Sequence, residues 1–85
     1  MHIREILALN LRRLRHEKAL SQEELAHRAG IDRTYISAIE RSLYAVSIDV
    51  LDKLSRALDV EAADLLKRPQ QTGKEKKKSR GPDGS

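Results

Sequence analysis

The stretch from Gln22 to Arg41, QEELAHRAGIDRTYISAIER, sets a short amphipathic run on either side of a single glycine. Few folds accept that arrangement. Ser21 precedes the first run: its hydroxyl can accept from the orphan N–H groups of a helix start, while Glu24, three residues on, bonds back to the Ser21 N–H. The pair reads as a capping box. Leu25, Ala26 and Ala29 then form the apolar face of a helix barely two turns long, and Gly30 stands where a left-handed residue ends a helix at low cost. Asp32 can cap a second helix. Its inward face is either Tyr35 or Ile36 together with Ile39, which leaves Arg33, Thr34, Ser37, Ala38 and Arg41 facing outward. The sequence therefore predicts two short helices hinged at Gly30 and Ile31, the second with a small, polar and basic exposed face.

The rest of the chain reads as further short helices. Ile3, Ile6, Leu7, Leu11 and Leu14 recur at spacings of three and four, one stripe of a helix over 3–14. Arg4, Arg12, Arg13 and Arg15 line its other faces, and Leu20 closes the loop behind it. After the glycine-hinged pair, Ser42 to Val46 form a linker. Ser47 can cap a fourth helix, with Asp49 near its positive end and Leu51, Leu54 and Leu58 as its core stripe. Val60 precedes a fifth, from Glu61 to about Lys67, with Ala62, Leu65 and Leu66 apolar. The expected fold is all-α, with five helices.

Composition bounds the rest. A chain of 85 residues supports one small domain, and a domain this size buries only about 60% of its unfolded surface, which favours a dimer. With no Phe or Trp and with Tyr35 and Tyr44 as the two tyrosines, the core must be aliphatic. Cysteine is absent, which excludes disulfides, thiolate metal sites and a cysteine nucleophile and fits a reducing cytoplasm. No apolar run is long enough for a signal peptide or a membrane span, so a cytoplasmic protein is expected. The net charge is +4, but residues 1–68 carry 12 Lys and Arg against 11 Asp and Glu, while 69–85 carry 5 against 2. Most of the excess lies in the stretch after Pro69, QQTGKEKKKSRGPDGS, which has no apolar residue. Residues 69–85 are expected to be a disordered basic tail, with 1–68 as the folded domain.

An outward helix with a polar, basic N-terminal end suits the major groove of DNA, where side chains read base edges. Leu25, Ala26, Gly30, Ile31, Ile36 and Ile39 resemble the apolar and glycine positions of the lambda-repressor-like, or Xre-type, helix-turn-helix family. The flanks LRRLRHEKALSQEELA and SIDVLDKLSRALDVEAADLL resemble its first helix and its fourth and fifth, so the likeness covers about residues 3–67. The run Asp32-Arg33-Thr34-Tyr35-Ile36-Ser37, followed by Ile39-Glu40-Arg41, is most similar to restriction-modification controller proteins and their small stand-alone relatives.

The resemblance implies a transcription regulator that binds double-stranded DNA as a homodimer on a pseudo-palindromic operator, probing the major groove and including its own promoter among its targets. Arg33 is the expected base reader, since an outward arginine there can grip guanine bidentately; Thr34 and Ser37 rank second. Gln22 is implied as a phosphate contact, with Arg41 and Ser47. Tyr35 either faces the DNA backbone or packs inward. Arg15 is implied to pair with Glu40 and tie the first helix to the third. The C-terminal region is implied to supply the dimer contact, with Val50, Leu65 and Leu66 as candidates that equally suit the monomer core. One departure stands out: relatives have Gly-Lys or Gly-Arg, then Asn and Pro, where this chain has Ser-Leu-Tyr-Ala-Val from Ser42. Either that helix end is not left-handed, or it bears strain of about 1 kcal/mol.

Catalysis is not expected. His2, His16 and His27 are scattered without metal-ligand pairing, Gly30 is too isolated for a phosphate-cradling loop, and neither a cofactor nor a small-molecule ligand is implied. The alternative from another class is a protein-interaction module, an antitoxin or anti-activator, built on the same scaffold.

Overall fold

The computed structural model describes residues 1–69. They form α1 (Ile3–Glu17), α2 (Gln22–Ala29), α3 (Arg33–Glu40), α4 (Ile48–Leu58) and α5 (Ala62–Leu66), with no strand among the described residues. The expected basic tail lies outside the described residues, apart from Pro69. No helix among the described residues is long and apolar enough to cross a membrane.

Polar capping chosen within three residues starts each helix. Ser21 Oγ accepts from the Glu24 N–H at 3.0 Å, and Glu24 Oε1 accepts from the Ser21 N–H at 3.0 Å, the reciprocal box that the sequence suggests. Asp32 Oδ1 accepts from the Thr34 N–H at 2.9 Å and Ser47 Oγ from the Val50 N–H at 3.1 Å. At α1 and α5 the arrangement is one-sided: Glu5 accepts from the His2 N–H at 2.9 Å, and Asp64 from the Glu61 N–H at 3.1 Å.

The helix ends share one device. In α1 to α4 a left-handed residue follows the last turn, and the two N–H groups there fold back onto carbonyls of that turn, the Schellman pattern. Gly30 (φ +71°) closes α2, with Ile31 N–H on Ala26 O at 3.0 Å. Ala19 (φ +57°), Ser42 (φ +62°) and Asp59 (φ +58°) do the same for α1, α3 and α4. Their following residues Leu20, Leu43 and Val60 donate to Arg15 O, Ala38 O and Ser55 O at 3.0, 3.0 and 2.9 Å. Of the two alternatives open for Ser42, the left-handed one is realised. Three of the four left-handed positions thus carry a Cβ at a place that favours glycine.

The core gathers Leu7, Leu11 and Leu14 of α1, Leu20 of the loop behind it, Leu25 of α2, Ile36 and Ile39 of α3, Leu54 and Leu58 of α4 and Leu65 of α5. Each buried aliphatic side chain of this kind contributes about 1.5–3 kcal/mol. Three expectations are corrected. Ile3, placed in the inward stripe of the first helix, is 50% exposed because α1 begins beyond the edge of the core. Ala38, expected outward, is buried, because α3 packs against both α1 and α2 and two neighbours cover more than one stripe. Leu65, a candidate dimer contact, is 0% exposed within the single chain and belongs to its core, so it has no surface to offer a second copy. Buried Asn10 holds α5 in place: its amide donates to Leu65 O at 3.0 Å and Lys67 O at 2.7 Å, satisfying carbonyls at the end of a helix too short to be stable alone.

Candidate nucleic-acid interface

The glycine turn places α3 on the surface with its start exposed and its end anchored. Arg33, in the first turn, is exposed and forms no ion pair among the described residues. Thr34 lies beside it, also exposed, but its hydroxyl already donates to Asp32 Oδ1 at 2.8 Å. These two bonds from Thr34, the backbone N–H first, hold the Asp32 carboxyl below its ordinary range, so it carries its charge at neutral pH. Ser37, one turn on, is half-buried. Arg41 is exposed at the C-terminal end and donates to Ser37 O at a long 3.4 Å. Arg33, Thr34 and Ser37 therefore form one short row, and Arg41, four residues after Ser37, continues the same side at the C-terminal end.

The anchor of α3 is a buried charge cluster. Glu40 is 4% exposed and Arg15 8%. Arg15 Nε and Nη2 donate to the two carboxylate oxygens of Glu40 at 2.6 and 2.9 Å, a fork that fixes both side chains. Arg15 Nη1 donates to Leu20 O at 2.9 Å, which satisfies a third donor. Burial pushes the Glu40 carboxyl up, but hydrogen bonds from Arg15 and Gln22 and the charges of Arg15 and Arg12 outweigh it and hold the group below its ordinary value. α3 is thereby bolted to α1 through charge as well as packing.

Two members of this cluster were not legible in the sequence. Arg12, which reads as a solvated arginine, donates from Nη2 to Glu40 O at 2.9 Å and so caps the end of α3. Its position three residues before Arg15 on the same helix face was the available signal. Gln22, at the start of α2, donates from Nε2 to Glu40 Oε1 at 3.1 Å. The implied phosphate contact is thus tied to the recognition helix through the same carboxylate.

Around this frame, Tyr35 is half-buried and packs against the core, and its ring lies 5.7 Å from that of Tyr44, tilted by 59°. Ser47 is exposed; its oxygen accepts the Val50 N–H, and its own proton has no acceptor among the described residues. Away from α3, Ile3, Leu7, Val46, Ile48, Leu51 and Leu66 line an apolar groove. Ile48 is 83% and Leu66 38% exposed there, while Val50 is half-buried. The described residues include no cluster of His, Asp or Glu able to hold a metal ion.

Two helices set across a left-handed glycine, the second exposing a polar row at its N-terminal end, make a helix-turn-helix. The comparisons agree. The helix-turn-helix family profile matches residues 11–65. A hypothetical transcription factor of Neisseria meningitidis is 45% identical over 69 residues, 81% of this chain and 65% of that protein. Control protein C.SmaI of Serratia marcescens is 44% identical over 68 residues, 80% of this chain and 81% of its own length. Among solved structures, the Neisseria factor superposes with a TM-score of 0.78 at 44% identity, covering 80% of this chain and 78% of that one. The restriction-modification controller protein C.AhdI of Aeromonas hydrophila gives a TM-score of 0.71 at 42% identity, covering 73% and 94%. The chain belongs to the Xre-type helix-turn-helix family of DNA-binding transcription regulators, which are not enzymes.

Proposed function

We propose that the protein binds an inverted-repeat operator as a homodimer, in a bacterial or phage cytoplasm, and regulates transcription from sites that include its own promoter. The observation that carries this reading is the row of exposed Arg33 and Thr34 with half-buried Ser37 on a helix whose opposite side is locked to α1 through Glu40. A rigid helix can hold base-reading groups to the tolerance that hydrogen bonding demands.

The chemistry of each group follows from what it already bonds. Arg33, free of an ion pair, offers a guanidinium fork to guanine O6 and N7. Thr34 has given its proton to Asp32, so towards a base it acts as an acceptor, or through its methyl group against thymine. Ser37 is a second-rank contact because half of it is covered. Gln22 has one amide N–H on Glu40, and its second donates to a phosphate at the start of α2, where the helix N-terminus also favours an anion. Ser47 donates its free hydroxyl proton, and Tyr35 and Arg41 add phosphate contacts. These contacts set register; Arg33 sets sequence.

One such helix reads too few base pairs to be selective, and two copies about 34 Å apart supply the rest. Val50 and Leu66 are the remaining candidates for the dimer contact, and exposed Ile48 beside Leu66 extends the apolar surface they offer. No cofactor or small-molecule effector enters this scheme; concentration, partners and promoter layout regulate it.

The test is Arg33→Ala. Operator affinity should fall about five- to hundredfold, with base preference lost at one position of each half-site and an unchanged melting midpoint. Full affinity in the variant would remove Arg33 as the base reader.

A further inference from the structure

The linker between α3 and α4 puts an aromatic side chain where the family resemblance leads one to expect a basic residue. Tyr44 is 53% exposed, so the core does not need it. The turn that precedes it is held by two backbone bonds. The left-handed Ser42, with Ser42 N–H on Ile39 O at 2.9 Å and Leu43 N–H on Ala38 O at 3.0 Å, closes α3 immediately before Tyr44. The ring then meets Tyr35 with centroids 5.7 Å apart and planes at 59°, a tilted geometry in which an electropositive ring edge approaches an electron-rich face.

We infer that Tyr44 is a positioning residue for DNA recognition: it holds the Tyr35 ring in one orientation on the interface and acts on DNA through Tyr35 rather than by its own contact. Tyr35 sits in the first turn of α3, two residues after Arg33, with one part of its ring against the core and the rest exposed. A tyrosine so placed has a core contact and, among the described residues, one aromatic partner, Tyr44. Without that partner its ring would gain access to alternative staggered orientations, and binding DNA would have to freeze them. With Tyr44 present, that ordering is complete before DNA arrives, which is a gain by preorganisation. The basic residue that this tyrosine replaces would have offered a phosphate contact directly; here the linker contributes by arranging a neighbour.

The inference rests on the DNA-binding reading, and the test separates the two. A double-mutant cycle compares the parent protein, Tyr44→Ala, Tyr35→Ala and the pair, with Kd measured on an operator selected from random duplex DNA. Tyr44→Ala should weaken binding about two- to tenfold, the range of an aromatic pair, and should have no further effect once Tyr35 is alanine. Tyr44→Phe, which keeps the ring and loses the hydroxyl, should bind like the parent. Melting curves of all four should show the domain folded, since both substitutions lie outside the fully buried core. Additive losses in the cycle, or a Tyr44→Phe protein as weak as Tyr44→Ala, would overturn the inference by giving Tyr44 a DNA contact of its own. An unaffected Tyr44→Ala protein would overturn it too. If the parent protein selects no operator at all, the DNA reading fails and this inference falls with it.

Discussion

Replacing Glu40 by alanine should cost more than any exposed substitution in the domain, for reasons that can be counted. Glu40 takes two hydrogen bonds from Arg15 at 2.6 and 2.9 Å and one from Gln22 at 3.1 Å, with Arg12 Nε 3.8 Å away. Arg12 would keep its bond to the Glu40 backbone carbonyl, and half-buried Gln22 can turn its amide to water. Arg15 has no such escape. Its side chain is 10% exposed, and without the carboxylate its charge would keep one bond, to Leu20 O. Stranding a buried charge costs about 3–5 kcal/mol, a large share of the roughly 5–15 kcal/mol that holds a domain folded. At about 4–8 °C per kcal/mol for a domain of this size, the melting midpoint should fall by about 12 °C or more. Thermal unfolding followed by circular dichroism, at fixed protein concentration because a dimer's midpoint depends on it, reads the effect. The paired change Arg15→Met with Glu40→Leu should recover most of the loss, since it removes the stranded charge as well as its partner. A Glu40→Ala midpoint within about 4 °C of the parent, equivalent to roughly 1 kcal/mol, would refute the claim that this pair anchors the recognition helix.

Three further predictions use the same structure. The Glu40, Asp32 and Glu24 carboxyls all sit below their ordinary values in the folded state, so the stability they add is present above those values and is lost as pH falls through the folded ones; stability should decline below about pH 4.5, and a Glu40→Gln protein should show a shallower decline in an acid titration. At the left-handed positions, Gly30→Ala meets no atom within 4 Å and should lose about 1 kcal/mol from conformation alone, whereas Ala19→Gly should gain up to about 1 kcal/mol; denaturant midpoints of equal sign would contradict this. Asn10→Ala strips two bonds from the end of α5 and should cost about 1–3 kcal/mol, with hydrogen exchange accelerating first in Ala62–Leu66; uniform acceleration throughout would count against a local staple.

What the sequence revealed and what it hid follow a physical divide. Ser21 with Glu24, Asp32, Ser47 and Gly30 were legible because each acts within four residues, where spacing alone fixes geometry. The left-handed Ala19 and Asp59 were hidden, and Ser42 was left as one of two alternatives, because tertiary packing and two backbone bonds overrule the local preference for glycine. Ala38 and Leu65 were misplaced for a related reason: a helical stripe says which residues share a face, not how many neighbours cover it. Leu65 and Leu66 are adjacent and equally apolar, yet only the turn of α5 decides that one closes the core and the other is exposed. Asn10, Arg12 and Gln22 reach carbonyls and a carboxylate 18 to 57 residues away, a range at which a periodic pattern can name a shared face but not the partner. The row proposed to read bases was legible as a row; that Thr34 has already given away its proton was not.

The central claim, that this helix-turn-helix reads a symmetric DNA sequence as a pair, is tested most directly by selecting from a random duplex pool with the purified protein at near-physiological salt and sequencing what is retained. Enrichment of an inverted repeat, with half-sites about one helical turn apart and a guanine in each that disappears from the selection with Arg33→Ala, is the expected result. A folded protein that enriches no sequence, or a single half-site without its mirror image, would contradict the claim.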